Sequence, residues 1–227
     1  MRFTLPRPIH GWRAFLGEVG IIVLGVLLAL AGEQAISSWR ERREVADFRT
    51  AVDKEIGTNL FNLRFRASQS DCVKRRLTEL ERWLDAWERG QRPVLTNRIS
   101  RPFYLLPLRS VWDSSTQEVM ANMALDDRLA IANVYSIVDT AHDNIFDERR
   151  IWNDIQDYSH ARSLTDEQAM KLGGLIDRAR QYDRIMALNL SELSHYIGKL
   201  GVKPNREFVP GEVENDLCVP LKWSGQG

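Results

Sequence analysis

The amino-acid sequence predicts an all-α protein: an N-terminal transmembrane helix that continues into an extramembrane antiparallel helical bundle, with an irregular C-terminal tail. Two patterns predict this class. A long apolar run stands near the N-terminus, and apolar residues then recur at spacings of three and four as far as about residue 200. No alternating pattern of convincing strand length appears, so no β-sheet is expected.

Composition limits the function. The 227 residues, 44% of them hydrophobic, are enough for one domain with a buried core. Lys+Arg and Asp+Glu number 31 each, so the formal net charge is zero. A nucleic-acid partner is not expected, because such proteins usually carry an excess of positive charge. Two cysteines are too few for a disulfide scaffold or a four-cysteine zinc site.

Residues 14–32 form the predicted membrane segment. They contain one charged residue, Glu18, and span about 28 Å as a helix, close to the bilayer core of about 30 Å. Trp12 before the segment and Trp39 after it suit the two interfaces. Two other interpretations stay open. One is a signal peptide cleaved at the small-x-small run 29–31, and the other is a buried core helix.

The flanking charges bear on orientation. Arg2, Arg7 and Arg13 precede the segment, and Arg40, Arg42 and Arg43 follow it. The count is three on each side, so the positive-inside rule is nearly neutral. Acids count little in this rule, and the glutamates mixed with the second group give only a slight preference for a cytoplasmic N-terminus at residues 1–13 and a periplasmic domain. In such an oxidising compartment Cys72 and Cys218 are expected to pair and to fasten the tail to the helices. The chain-entropy model gives about 4–5 kcal/mol for closing a loop of that length. Two unrelated thiols are the alternative.

The bundle is predicted over residues 33–203, with a loop near 90–112 and an extended tail over 204–227. Apolar stripes mark its helices, and Gly90 and Pro93 end the first half. The segment from Phe103 to Leu106 is expected to lay apolar side chains across the bundle. Trp83 with Trp87, together with this segment, is also a candidate ligand groove, although core packing is the expected role.

Several residues predict helix ends. The pairs Ser115/Glu118 and Thr165/Gln168 have the spacing of capping boxes. Asp126 or Asp127 is expected to cap the next helix. Gly201 suits the C-cap of the last helix, because a left-handed residue commonly ends helices.

The anchor carries a resemblance. Gly17-Glu18-Val19-x4-Leu24-Gly25-Val26-Leu27-Leu28-Ala29-Leu30 resembles the N-terminal signature of a group of uncharacterised bacterial membrane proteins, G-E-[IV] followed by an apolar run ending in G-[IV]-L-[IL]-A-L. Asp53-Lys54-Glu55-Ile56-x2-Asn59-Leu60 resembles the helix that follows this anchor, and the region Trp112 to Tyr135 resembles the middle segment. Cys218-Val219-Pro220-Leu221 resembles a tail motif paired with an upstream cysteine.

The resemblance implies an uncleaved anchor, a helical extramembrane domain and the disulfide, and it implies no activity. One stretch departs from the family pattern. Ala121-Asn122-Met123-Ala124 stands where a Ser-Gly turn is expected. Equivalence at that point is therefore not assumed.

One face of the anchor helix is the candidate contact site. Its residues recur at spacings of 4, 3, 4 and 3, and they are Glu18, Ile22, Gly25, Ala29 and Gly32. The small pair Gly25/Ala29 lets another helix approach closely, and an ionisable group in lipid is costly without a partner. The face is predicted to pack against a partner helix, with Glu18 hydrogen-bonding across the contact. The alternative is that Glu18 reaches the headgroups and serves insertion only.

Other chemistry is not indicated. Asp139, His142, Asp143 and Asp147 share one side of a helix, where they offer metal-ligand types. All four come from one element, so a solvated acidic face is expected. Phosphate loops, the G-x-S-x-G elbow, H-E-x-x-H and Cys-x-x-Cys are absent from the sequence. No enzyme activity, metal or cofactor is expected.

Together these patterns predict a single-pass protein of the bacterial inner membrane with a periplasmic helical domain. Its predicted role is that of a non-enzymatic interaction or scaffold protein. The expected partners are the lipid bilayer and another membrane or periplasmic protein, or a second copy of the chain. The alternative is a ligand-binding sensor or accessory domain with an apolar pocket between helices.

Overall fold

The computed structural model describes residues 11–206 and 216–224, without the side chains of residues 13 and 14. Most of the predicted N-terminus and much of the predicted tail therefore lie outside the described residues. The helices are α1 (Trp12–Ala67), α2 (Ser70–Glu88), α3 (Ser110–Asp113), α4 (Gln117–Asn122), α5 (Leu125–Gln156) and α6 (Asp166–Leu200). Two 3₁₀ turns cover Asp157–His160 and Asp216–Cys218. The predicted all-α class is confirmed.

Helix α1 is 56 residues long and has two different halves. At 1.5 Å per residue it extends about 84 Å. Its described side chains are exposed up to Ser37, and Val52 is the first buried residue. The N-terminal half therefore projects from the bundle, while the C-terminal half is part of it. Ser68 and Gln69 interrupt the helix, a break the periodicity did not predict, and α2 follows at once.

The bundle is built on α6, which runs antiparallel to both α1 and α2. Its first half lies beside α2, where Arg180 pairs with Glu81 at 2.6 Å. Its last residue lies beside α1, where the Leu200 carbonyl accepts a bond from Arg49 at 3.4 Å. Helix α5 packs along α6 as the third member. The N-terminus of α6 therefore marks the end of the bundle remote from the anchor.

Two apolar clusters form the core. The membrane-distal cluster joins α2 to the end of α5 and the start of α6, and it includes Leu217 and Leu221 from the tail. The membrane-proximal cluster joins the second half of α1 to the first half of α5 and the end of α6. Buried polar side chains, among them Arg66, Glu148 and Asp183, lie where α1 gives way to α2.

The helix ends follow the sequence in part. The Thr165/Gln168 capping box is confirmed, and Gly201 ends α6 with φ 70°, as predicted. The Ser115/Glu118 box is wrong, because the neighbouring Thr116 is the N-cap and accepts from the Val119 amide at 3.3 Å.

The predicted aspartate cap of α5 is also wrong. This helix begins after Ala124, and Asp126 and Asp127 lie in its first turn. The buried side chain of Met123 belongs to the membrane-proximal cluster and positions the chain at the start of α5. The carboxylates of these two aspartates interact favourably with the positive end of the helix dipole but do not cap the helix.

Candidate functional site

The projecting half of α1 carries the predicted contact face. Among the described residues there is one helix long and apolar enough to cross a membrane, near the N-terminus, and its apolar stretch is not buried at all. The interpretation as a buried core helix is therefore wrong, whereas a signal sequence stays compatible. All five residues of the face are exposed. A Cβ placed on Gly25 or Gly32 meets nothing within 4 Å, so a second helix has room to approach.

Two exposed tryptophans frame this segment. Trp12 and Trp39 are 27 residues apart, which is about 40 Å along a helix. That length matches a bilayer of about 40–45 Å including its headgroups, and tryptophan favours such interfaces. The Arg43 guanidinium lies 5.5 Å from the Trp39 ring centroid, over the ring face. Glu18 lies about 11 Å along the helix axis from the midpoint between the two tryptophans, which is less than the half-thickness of about 15 Å of a bilayer hydrocarbon core.

A second carboxylate, which the sequence analysis missed, lies between the two tryptophans. Glu33 lies as far from the midpoint as Glu18, on the other side, and follows Ala29 at a spacing of four. A shallow groove runs along this part of the helix surface, lined by Leu28, Ala29, Gly32, Glu33, Ile36, Ser37 and Arg40. The same spacing rule that selected Glu18 was sufficient to find Glu33. The exposed apolar segment therefore has one carboxylate near each end, Glu18 on the contact face and Glu33 beside it.

A disulfide fastens the tail to α2. Cys72 and Cys218 are joined, with an S–S distance of 2.09 Å. The buried Arg76 lies one turn further along α2 and donates to the carbonyls of Leu217, at 3.2 Å, and Val219. Burial lowers the pKa of Arg76. The Leu221 amide donates to Glu79 at 3.0 Å. Covalent, charged and apolar contacts thus hold residues 216–221 in one place.

Polar side chains of α1 and of the break before α2 hold residues 89–109, which return from the end of α2 and are called the returning segment. Asn59 donates to the Leu108 carbonyl and accepts from the Leu108 amide, both at 2.6 Å. Gln69 makes the same pair of bonds with Phe103, each at 2.9 Å. Asn62 donates to the Leu106 carbonyl at 2.9 Å. The prediction that the segment from Phe103 to Leu106 lays apolar side chains across the bundle is corrected in part. Phe103 and Leu106 are exposed, and the backbone of the segment makes the hydrogen bonds that attach it.

Glu55 completes this series at the N-terminus of α3. Its buried carboxylate accepts from the Ser110 hydroxyl and the Val111 amide, both at 2.9 Å, and from the Tyr135 hydroxyl at 2.5 Å. Burial raises the pKa of Tyr135, and the bond to Glu55 raises it further. The Trp112 ring stacks on Tyr135 with centroids 4.9 Å apart. The residues that resembled a family motif, Glu55 and Asn59, therefore bind the chain's own backbone.

A buried ionic group joins three helices. Arg66 on α1 donates to Glu148 on α5, once at 3.0 Å and once more closely, and to Asp183 on α6 at 3.2 Å. Asp183 also accepts from the Ser70 hydroxyl at 2.6 Å. Burial is the largest single effect and acts to lower the pKa of Arg66, but the charge of Glu148, the hydrogen bond to it, and the charges of Tyr104 and Asp183 together raise the pKa above its ordinary value. Burial also raises the pKa of the nearby Tyr104 hydroxyl.

The four residues of the acidic face serve other contacts. Asp139 pairs with Arg109, and Asp147 accepts from Tyr182 at 3.2 Å. His142 contacts its neighbour Asp143 at 3.4 Å. In residues 11–206 and 216–224 no group of three or more His, Cys, Asp or Glu is arranged to hold a metal ion. These side chains form a solvated face with local ion pairs, which the sequence analysis gave as the expected interpretation.

Comparisons with protein-family models, with curated proteins and with solved structures find no match for this chain. Three features of the structure bear on function. They are the projecting apolar helix, the tail held by the disulfide, and the bundle whose helices are joined by buried polar side chains.

Proposed function

We propose that this chain is a single-pass protein of the bacterial inner membrane whose periplasmic bundle holds a partner protein at the membrane without catalysing a reaction. The observation that carries the proposal is the division of α1. Its C-terminal half belongs to the membrane-proximal core, whereas its N-terminal half is apolar, exposed and touches no other described part of the chain. An apolar helix left uncovered in this way needs lipid or protein around it.

The disulfide supports the periplasmic side. Cytosolic thiols are kept reduced, whereas the periplasm is oxidising, so a structural disulfide favours the latter. Cys72 and Cys218 lie in the part of the chain that follows the anchor. This placement agrees with a cytoplasmic N-terminus and a bundle on the opposite side of the membrane.

The buried carboxylates support a structural role for the bundle. Glu55, Glu148 and Asp183 each accept hydrogen bonds from other helices or from the returning segment. A general acid or base has to reach a substrate, whereas these three groups are enclosed and used by the fold. Such connections make the bundle rigid, which suits a surface that positions a partner.

The contact face supports a partner inside the membrane. Glu18 and Glu33 are costly in hydrocarbon unless another group hydrogen-bonds to them. Gly25 and Ala29 leave space for a helix between those two depths. The partner is another membrane protein or a second copy of the chain, and the face is the same in either case.

The first test is a non-reducing gel of the full chain with a C-terminal tag, run on separated membrane and soluble fractions after free thiols are alkylated. We expect a full-length membrane band that migrates faster without reductant. A soluble band shortened by about 31 residues would show a cleaved signal peptide. Free thiols on a full-length membrane band would indicate that the bundle is on the cytoplasmic side of the membrane.

The second test addresses the contact face by crosslinking in intact membranes. We expect Glu18→Gln and Gly25→Leu to reduce the crosslinked complexes. Gly20→Leu is the matched control, because Gly20 lies on the opposite side of α1 and is equally open. Crosslinked complexes that survive all three substitutions would show that this face binds no partner.

A further inference from the structure

A two-stranded ribbon lies at the membrane-distal end of the bundle. Residues 94–97 run antiparallel to residues 222–224, with Leu95 opposite Trp223. The Thr96 amide donates to the Lys222 carbonyl and the Ser224 amide donates to the Val94 carbonyl, both at 2.9 Å. The tail fastened by the disulfide is therefore also joined by a β-bridge to the start of the returning segment.

Side chains alternate across this ribbon. On one side Pro93, Leu95 and Ile99 are buried. The other side is exposed, and we call it the ribbon face. It consists of Arg92, Val94, Thr96, Arg98, Lys222 and Ser224. Three of its six residues are cations, and the other three are one apolar and two hydroxyl-bearing residues.

The positive charge of this face is unusual for the chain. Residues 89–112 contain five arginines and no Asp or Glu, although the whole chain is neutral. Arg109 forms ion pairs within the chain, with Asp113 and Asp139. Arg92, Arg98 and Lys222 make no ion pair with any residue that the structure describes. All three side chains are exposed, so an external anion can reach them.

The ribbon is held in place before any partner arrives. Asn97 donates to the Pro220 carbonyl at 2.9 Å and accepts from the Lys222 amide at 2.8 Å. The Trp83 indole donates to the Pro93 carbonyl at 3.1 Å. A surface fixed in advance loses less conformational entropy on binding, which favours affinity.

Arg92 adopts a costly backbone conformation. Its φ is 49°, in the left-handed region that favours glycine. A residue with a side chain loses on the order of 1 kcal/mol there. A glycine at this position would avoid that cost but would remove one of the three cations. The position therefore presents a guanidinium at the expense of local stability.

We propose that the ribbon face docks an extended acidic segment of the partner protein. This inference rests on the interaction role proposed above and names the surface and the chemistry. Val94 and Thr96 flank the bridge residue Leu95 and are exposed, and Arg92 and Arg98 lie on either side of them in the sequence. Carboxylates of the acidic segment would pair with the three cations, and the residues between those carboxylates would contact Val94 and Thr96.

The position of the ribbon distinguishes a protein from a lipid surface. The ribbon lies at the end of the bundle where α6 begins, and the 35 residues of α6 separate that end from the anchor side by about 52 Å. Electrostatic attraction between exposed charges is screened over about 8–10 Å at physiological salt. Headgroups of the membrane that holds α1 are therefore out of reach.

The test measures binding of a synthetic peptide to the full chain in nanodiscs. The probe is a 13-residue peptide with Asp or Glu at alternate positions, and its counterpart carries Asn or Gln there. The test variant is R92Q/R98Q/K222Q. The control variant is R82Q/R162Q/K171Q, which removes the same charge from three exposed cations without ion pairs among the described residues.

We expect the acidic peptide to bind and the neutral peptide not to bind. The ribbon variant should weaken binding about tenfold, since exposed charge pairs contribute roughly 0.2–1 kcal/mol each, whereas the control should change it less than about twofold. Equal losses in the two variants, or equal binding of the two peptides, would overturn the proposal. So would selective binding, through the same three cations, of separate vesicles containing phosphatidylglycerol.

The outcome is separable from that of the proposed function. Crosslinking through the contact face depends on Glu18 and Gly25, and the ribbon variant leaves both unchanged. Loss of acidic-peptide binding in that variant supports the ribbon whether or not anchor complexes form. Anchor complexes without any acidic-peptide binding would reject the ribbon and leave the membrane contact standing.

Discussion

Asn59 and Leu108 are joined by two hydrogen bonds of 2.6 Å, in which one side-chain amide pairs with both backbone groups of one residue. A neighbouring β-strand would offer the same donor and acceptor, but here a helix offers them. Gln69 repeats the arrangement with Phe103. The backbone groups of Phe103 and Leu108 are therefore satisfied by side chains and not by a neighbouring strand.

The Asn59 pair is expected to be important for stability. Asn59→Asp removes the donor to the Leu108 carbonyl and places a buried carboxylate against it, so the free energy of unfolding should fall by about 2–4 kcal/mol. Urea denaturation of the full chain in detergent measures this change. The exposed Asn133→Asp is the control and should stay within about 0.5 kcal/mol. Equal effects at both positions would contradict the structural role of Asn59.

The buried ionic group predicts a non-additive result. Arg66→Met leaves Glu148 and Asp183 without their cation, and we expect a loss of about 3–5 kcal/mol. The triple variant R66M/E148M/D183L removes all three charges together and should be close to wild type in stability. Denaturation of both variants supplies the comparison. A triple variant at least as unstable as Arg66→Met would show that the charges stabilise the fold in themselves.

The tail disulfide predicts a redox-dependent stability. Cys72→Ser with Cys218→Ser should lower the free energy of unfolding by about 2–5 kcal/mol, because the unfolded chain is no longer cross-linked. Wild-type protein in reductant should match the double variant. Unfolding that does not respond to reductant, with thiols shown to be reduced, would mean that Arg76 and the apolar contacts hold the tail alone.

Gly57 predicts an unusual response to alanine. A Cβ at this position would lie 2.6 Å from the Lys203 carbonyl oxygen and 2.5 Å from the Asn205 side chain. Gly57→Ala should therefore displace residues 203–205 and destabilise the protein. Gly198→Ala in α6 meets nothing within 4 Å and should stabilise by about 0.5–1 kcal/mol. Thermal unfolding of both variants checks the opposite signs.

The tyrosines predict a loss of stability in alkali. Burial raises the pKa of Tyr104 and Tyr135 in the folded state, whereas an unfolded tyrosine titrates near pH 10. Above about pH 10 the unfolded chain therefore releases protons that the folded chain retains, and stability falls as pH rises. Tyr104→Phe with Tyr135→Phe should flatten this part of the profile. Unfolding midpoints from pH 8 to pH 11 measure it.

The fold class was predictable because helices are encoded locally. Apolar residues at spacings of three and four mark one face of each helix, and the absence of proline allows α1 its full length. Where two capping residues adjoin, as Ser115 and Thr116 do, spacing alone does not choose between them.

The sequence by itself determined an apolar anchor, the helical periodicity behind it, and the helix ends at Thr165 and Gly201. These depend on residues within a few positions of each other. Only the tertiary structure decided that Glu55, Asn59 and Gln69 hold a segment about 34 to 57 residues away, and that Arg76 holds the tail. Such bonds join a side chain to backbone, and backbone groups are alike in every residue. The order of side chains in the sequence therefore does not indicate which backbone groups they will bind in the folded protein.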